Sequence, residues 1–376
     1  MGASEQGRKL GRGLHELVSE ACRAAIADAG LSIGEVDAIV VESSYMPMAA
    51  PPDRIAFELG HHGSFRSVTS GIGGSGVVYA LGLAELLISH GGCRTVLSYF
   101  GSDFGTSPGG PYAFPVGVET KKRYEAPHGW FGQPVYFAAM AERYAIEFGL
   151  PEEALAAVAI AAREAAQLTD DAVLRRPLDM ERYLEEPRIA GRFRRADCSV
   201  ISDGASAFVV QATDAARNGP HPPVALLGCG QASEPGNSSD SFWTQRPSLT
   251  VTPCVASAAE AFAQAGLQPS DVDVAEIYDC FTISTILQLE DAGFCAKGDG
   301  AAFVASGAIG LAGSLPTNTH GGLLCHSYTV GAHHIVEATR QLRGEAGLRQ
   351  VQGAEVAYVA GLGLPEHASA LLGVLR

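Results

Sequence analysis

Residues 29–37 read AGLSIGEVD and residues 265–273 read AGLQPSDVD, one phrase written twice, 236 positions apart without a gap. Each copy follows an Ala-rich stretch of helical pattern, 14–29 and 254–265. Each precedes an apolar run, AIVVESS at 38–44 and VAEIYDC at 274–280. The local reading is the same both times: helix, Gly stop, short turn, strand. One such match is weak, because helix–turn–strand units are common. Matching positions in two halves point to a duplicated α/β domain. The segment RNGPHPPV (217–224) is the best boundary, dividing the chain into residues 1–216 and 217–376.

The remaining pattern fits that plan. VVYALGLAELLISH (77–90) reads as a buried helix and CRTVLSYF (93–100) as the strand after it. Helices are expected near 134–148, 151–167, 179–186, 283–293 and 333–344. Strands are expected at 205–212 and, as a closing pair, within 354–375. Residues 102–135 are rich in Gly, Pro and aromatics without a clear period. They read as a long functional loop, at the start of a loop region of about 102–200 in the first half.

Bulk properties narrow the function. A chain of 376 residues with 47% hydrophobic and 18% charged residues suits a packed enzyme. The net charge of −15 argues against a nucleic-acid or anionic-membrane binder. None of the eight cysteines forms a C-x-x-C pair, so no metal site is expected from spacing, and reduced thiols fit a cytoplasmic protein. The polar start MGASEQGRKLGRG has no apolar core of a signal peptide, and no run of about 18 apolar residues occurs to span a membrane.

Residues 318–334 read NTHGGLLCHSYTVGAHH, and residues 73–76 read GGSG. Further phrases are SDGASA (202–207), EIYDCF (276–281), LEDAGFCAKGDG (289–300) and EATRQLRGEAGLRQV (337–351). In order and spacing these resemble the sterol-carrier-protein-X branch of the thiolase superfamily, from about residue 14 onward. The resemblance implies a five-layered αβαβα fold made of two duplicated halves. It also implies a strand before GRGLHELVSEA (11–21), which this chain starts too late to supply fully. Two departures stand out. Thiolases have Cys-Gly-Ser-Gly where Gly73 stands first, and Gly-His-Pro where Tyr328 stands for the histidine. The second thiolase cysteine is missing too, since YVAGLGLPEH (358–367) puts Val359 or Ala360 there.

Without a thiolate there is no acyl-enzyme. Backbone N–H groups near Gly73, at a helix start, and around Gly361 and Gly363 are still expected to polarise a thioester carbonyl. That stabilises an enolate, which a retro-aldol cleavage of a β-hydroxyacyl-CoA requires together with an acid and a base. Tyr278 and Tyr328 are the candidates, against the plainer reading of two packed tyrosines with satisfied hydroxyls. The pair resembles lipid-transfer-protein-type steroid side-chain aldolases, which implies a steroid or bile-acid thioester as substrate and no cofactor beyond its coenzyme A. It further implies a homodimer and an accessory protein with an OB-fold and zinc ribbon. His320 and His326 flank the signature, and His128 lies in APHGWFGQP (126–134); each is a candidate to orient substrate. Asp279 is expected to orient its neighbours or cap the helix at 283. Basic clusters at 121–123, 175–176 and 192–195 are candidates for the nucleotide phosphates, or simply solvated faces. Two other functions stay open: a thiolase-like acyltransferase using Cys280 or Cys325, and a non-catalytic subunit of a multienzyme complex.

Overall fold

The computed structural model describes residues 1–108, 119–130, 132–235, 246–363 and 365–375, with side chains in 119–130 given from Lys122 onward. Its strands, in chain order, are β1 (Gly2–Ala3), β2 (Ala38–Val41), β3 (Arg66–Thr69), β4 (Thr95–Asp103), β5 (Arg188–Ala190), β6 (Phe193–Arg194), β7 (Asp203–Gln211), β8 (Val224–Ser233), β9 (Val274–Ile277), β10 (Val356–Leu362) and β11 (Glu366–Val374). One sheet runs β1-β7-β4-β2-β3 and the other β8-β11-β10-β9, with β5 and β6 as a separate pair.

The duplication is explicit in the strand directions. β2 is parallel to β4, and β4 is antiparallel to β7, which is antiparallel to β1. In the second sheet β9 is parallel to β10, β10 antiparallel to β11, and β11 antiparallel to β8. β3 lies parallel beside β2, and its counterpart beside β9 is reduced to a single parallel bridge, Ala275 to Thr317. Asn318 extends that bridge with its side chain: Ile277 N–H donates to Oδ1 at 2.7 Å, and Nδ2 donates to Ile277 O at 2.8 Å. The residues of β2 and β9 are all buried, as central strands covered on both faces must be.

Helices Gly73–Ser89 and Ala332–Arg343 pack against each other and against strands of both sheets, forming the middle layer. Helix Leu14–Asp28 covers the outer face of the first sheet, and helix Cys254–Ala265 covers that of the second. These are the five expected layers, αβαβα. The strand ahead of residue 11 is present as β1, two residues long and paired with β7 as β8 is with β11.

One expectation is corrected. The stretch 102–135 is not one irregular loop. β4 runs to Asp103, and a helix at Glu119–Tyr124, a 3-10 turn at Ala126–His128 and the helix Gln133–Phe148 follow. Residues 109–118 and 131 lie outside the described residues. Apolar periodicity could not reveal a helix of six residues bounded by aperiodic sequence.

Candidate active site

The two tyrosines meet between the halves. Tyr278 follows β9, the strand that the repeat pairs with β2, so it occupies the position of Glu42 in the first half. Its N–H donates to Ala360 O at 3.2 Å. Its carbonyl accepts from Gln288 Nε2 at 2.7 Å and Ser284 Oγ at 3.1 Å. Tyr328 is held by the first half instead. Its N–H donates to Ser202 Oγ at 2.8 Å, and its carbonyl accepts from Ser102 Oγ at 2.8 Å. Ser202 opens the SDGASA phrase, and Ser102 is the penultimate residue of β4.

The two side chains face each other, and each perturbs the ionisation of the other. Burial pushes both above the ordinary phenol value, Tyr328 to about 12, and the neighbouring Tyr328 adds to the rise at Tyr278. Phe104 packs on the Tyr328 ring at 5.7 Å between centroids. Downstream of Tyr278, Phe281 stacks between Phe137 at 4.7 Å and Phe193 at 5.4 Å, tying the segment 133–194 to this strand end.

Glycines allow the approach. A Cβ on Gly74 would lie 2.4 Å from Tyr278 Cε2 and 2.9 Å from Leu362 O. A Cβ on Gly361 would lie 2.0 Å from Gly74 O, and one on Gly363 2.0 Å from Ile72 O. Gly73 differs: its nearest neighbour would be 3.8 Å away, but its φ is +54°. Val330 sits beside it with φ +48°, an outlier for a β-branched residue. Strain of this kind, about 1–3 kcal/mol, concentrates at functional sites.

The expected oxyanion donors are largely occupied. Gly73 N–H donates to Glu42 Oε2 at 3.2 Å, and Gly363 N–H to Glu366 O at 2.9 Å. Sequence could not show this, because Glu42 becomes an acceptor only when β2 and the helix start are brought together. One residue was missed. Ser75 Oγ is fully buried in the first turn of helix Gly73–Ser89 and has no hydrogen-bond partner.

Asp279 caps a different helix from the one expected. It accepts from Leu323 N–H at 2.7 Å and Leu324 N–H at 3.3 Å, at the start of the short helix Gly322–Cys325. This explains the Gly pair of the signature, since a Cβ on Gly322 would lie 2.0 Å from the Asp279 carboxylate. His320 is buried beside Glu276, 3.0 Å from Oε2. His326 meets Asp171 at 3.1 Å. His128 is exposed on its 3-10 turn, apart from the tyrosines.

The basic clusters are mostly paired internally. Arg192 meets Glu142 at 3.0 Å, Arg194 meets Glu152 at 2.7 Å, and Arg195 meets Glu186 at 2.7 Å. Lys121 falls outside the described side chains. A cavity of about 320 Å³ lined by Met1, Asp28, Leu81, His221 and Arg343 lies elsewhere and contains neither tyrosine. Among the described residues, no helix is long and apolar enough to cross a membrane.

The thiols give an acyltransferase little to work with. Burial raises Cys280, and it raises Cys325 to about 11 despite Arg163 at 3.2 Å. A nucleophilic cysteine needs the opposite shift.

Residues 236–373 match the family model described as thiolase C-terminal domain-like. Over 97% of its length the chain is 31% identical to a steroid side-chain-cleaving aldolase of Thermomonospora curvata, covering 94% of that protein. It is 32% identical over 97% of its length to a 17-hydroxy-3-oxo-4-pregnene-20-carboxyl-CoA lyase of Mycobacterium tuberculosis, covering 96% of it. It is also 30% identical over 93% of its length to an acetyl-CoA acetyltransferase of Methanothermobacter thermautotrophicus, covering 91% of it. Among solved structures, the Ltp2-ChsH2(DUF35) aldolase superposes with a TM-score of 0.92 at 30% identity, covering all of this chain and 96% of that one.

Proposed function

This chain belongs to the thiolase superfamily, in the branch that holds the steroid side-chain-cleaving aldolases, and we propose that it cleaves a β-hydroxyacyl-CoA thioester by a retro-aldol reaction. The substrate class is a steroid or bile-acid side chain, such as a 17-hydroxy C22 acyl-CoA giving a 17-ketosteroid and propionyl-CoA. Identity alone does not separate aldolase from acetyltransferase relatives. The observation that carries the reading is the adjacent pair Tyr278–Tyr328, set beside Gly73–Gly74 in place of a thiol.

In the reaction the Cα–Cβ bond breaks and its electron pair enters the thioester as an enolate. The β-hydroxyl loses its proton as the ketone forms, and Cα gains one. A pair of neutral phenols balances this. The substrate hydroxyl gives its proton to Tyr278 oxygen, Tyr278 passes its own to Tyr328, and Tyr328 delivers its proton to Cα. Neither phenol has to ionise, so elevated pKa values are no obstacle. Ser75 Oγ and the N–H groups of Gly74 and Ser75, which precede the first full helical hydrogen bonds, are the proposed donors to the thioester oxygen.

Two further parts of the reading concern partners. A DUF35 protein, the component printed for the similar aldolase complex, is proposed as the accessory subunit, with an OB-fold and zinc ribbon. A second copy of this chain is proposed to form a homodimer, supported by β3, a largely exposed strand at the open edge of its sheet.

The test is an assay of the chain, alone and with a DUF35 partner, on a 17-hydroxy C22 acyl-CoA, following ketone and propionyl-CoA. Tyr278→Phe and Tyr328→Phe should each lower turnover at least tenfold, about 1.4 kcal/mol in barrier. Between about pH 6 and 9 turnover should stay flat. A required Tyr328 phenolate would instead raise the rate tenfold per pH unit on the way to about 12. Wild-type rates in both variants would overturn the assignment.

A further inference from the structure

Four of the eleven histidines lie between 320 and 334, and His320, His326, His333 and His334 are all buried. The proton shuttle uses none of them. His320, His333 and His334 each offer a ring nitrogen within 4.8 Å of the other two. His333 Nδ1 is engaged with Thr329 Oγ1 at 2.6 Å, which leaves Nε2 without a partner. Both nitrogens of His320 and of His334 lack an aligned hydrogen bond, and so does Glu276 Oε2. That oxygen lies 3.0 Å from His320 Nδ1 and 3.5 Å from His334 Nδ1.

So many unsatisfied polar atoms in one buried place need an occupant, because each costs about 1–3 kcal/mol when left unpaired. Charge says which kind. Glu276 and Asp279 are fully buried, and among the described residues neither has a lysine or arginine partner. A protonated His334, 3.5 Å from Asp279 Oδ1 and from Glu276 Oε2, would offset one of those charges. A divalent cation offsets both.

We propose that His320, His333 and His334 hold one divalent transition metal, zinc by ligand type, with Glu276 orienting His320 through its Nδ1–H. Imidazole ligands backed by a carboxylate are a recurrent zinc arrangement. Bonds of about 2.0–2.1 Å require the nitrogens to draw together by roughly an ångström, within reach of small side-chain rotations. The ion would not touch the reacting atoms. It would clamp the end of β9, two residues before Tyr278, to the loop and helix start on either side of Tyr328. That makes the three histidines positioning residues, and it offers a counterweight to the strain at Val330.

Metal content tests this on the full-length chain purified without a histidine tag or chelator. Elemental analysis should find close to one zinc per chain. Cobalt exchanged into the protein should show the visible bands of tetrahedral nitrogen ligation. Removal of the metal should lower Tm by several degrees, restored by added zinc. His320→Asn and His333→Asn should each abolish the stoichiometric metal. Less than about a tenth of an equivalent in wild type, with no thermal shift on adding zinc, cobalt, nickel or iron(II), would overturn the proposal in favour of a protonated hydrogen-bond network. Metal retained by folded His320→Asn would overturn it too. The readout is metal, so an inactive protein still answers the question.

Discussion

The two halves share one backbone plan and carry opposite loads. In the first half Glu42 follows β2, and the helix that follows β3 starts on Gly73 and Gly74. In the second half Tyr278 follows the matching strand, and the matching helix starts between Tyr328 and His333–His334. Glu42 spends its carboxylate inward, accepting from the N–H groups of Ser44, Tyr45, Met46 and Gly73 at 2.6–3.2 Å. Tyr278 faces Tyr328 instead. A duplicated fold thus divides its labour: the first half supplies backbone, space and the serines that hold Tyr328, and the second supplies both tyrosines proposed to react.

The comparison can be broken most sharply at the contact between the halves. Gly74→Ala places a methyl 2.4 Å from the Tyr278 ring and 2.9 Å from a backbone oxygen. Overpacking of this kind costs about 1–3 kcal/mol. Turnover should fall by more than tenfold as the ring is displaced, alongside a lower Tm. Near-normal activity would mean that the first half does not set the position of Tyr278.

Glu42→Gln tests the first half alone. Gln keeps one acceptor oxygen for four N–H donors, so a loss of about 1–3 kcal/mol in stability is expected by chemical denaturation. An unchanged denaturation midpoint would remove Glu42 from its holding role.

The smallest effect is expected at Gly73→Cys, which restores the thiolase residue. Its Cβ has room, so the cost is the left-handed backbone, about 1–2 kcal/mol. Mass spectrometry after incubation with an acyl-CoA should find no acyl-enzyme, since the Gly-His-Pro histidine and second cysteine remain absent. A stoichiometric acyl-enzyme would show that the halves differ by one side chain in reaction class.

Much of this was legible in the chain. The repeated phrase at 29–37 and 265–273 predicted two copies of one unit, and the sheets repeat four strands of that unit, with only a bridge in place of the counterpart of β3. Tyr278 and Tyr328 stood out because they replace residues in short contiguous motifs. The roles of Asp279, His320 and Gly73 were not legible in the same way. Asp279 reads as a helix cap, but its helix begins 43 residues later, at Gly322. His320 reads as a lone histidine, although the dipeptide His333–His334 shortly after it was a signal that such residues cluster.

Sequence alone determined the duplication, from a repeated phrase, and the loss of the thiolase nucleophile, from residue identity within motifs; the layers came through the resemblance that those motifs carry. Tertiary structure alone decided which N–H groups are occupied, that the two phenols lie together, and that three histidines and Glu276 share one buried site. Those outcomes depend on hydrogen bonds and charges between segments up to hundreds of residues apart, and a low-dielectric interior gives such contacts their strength only once the chain has folded around them.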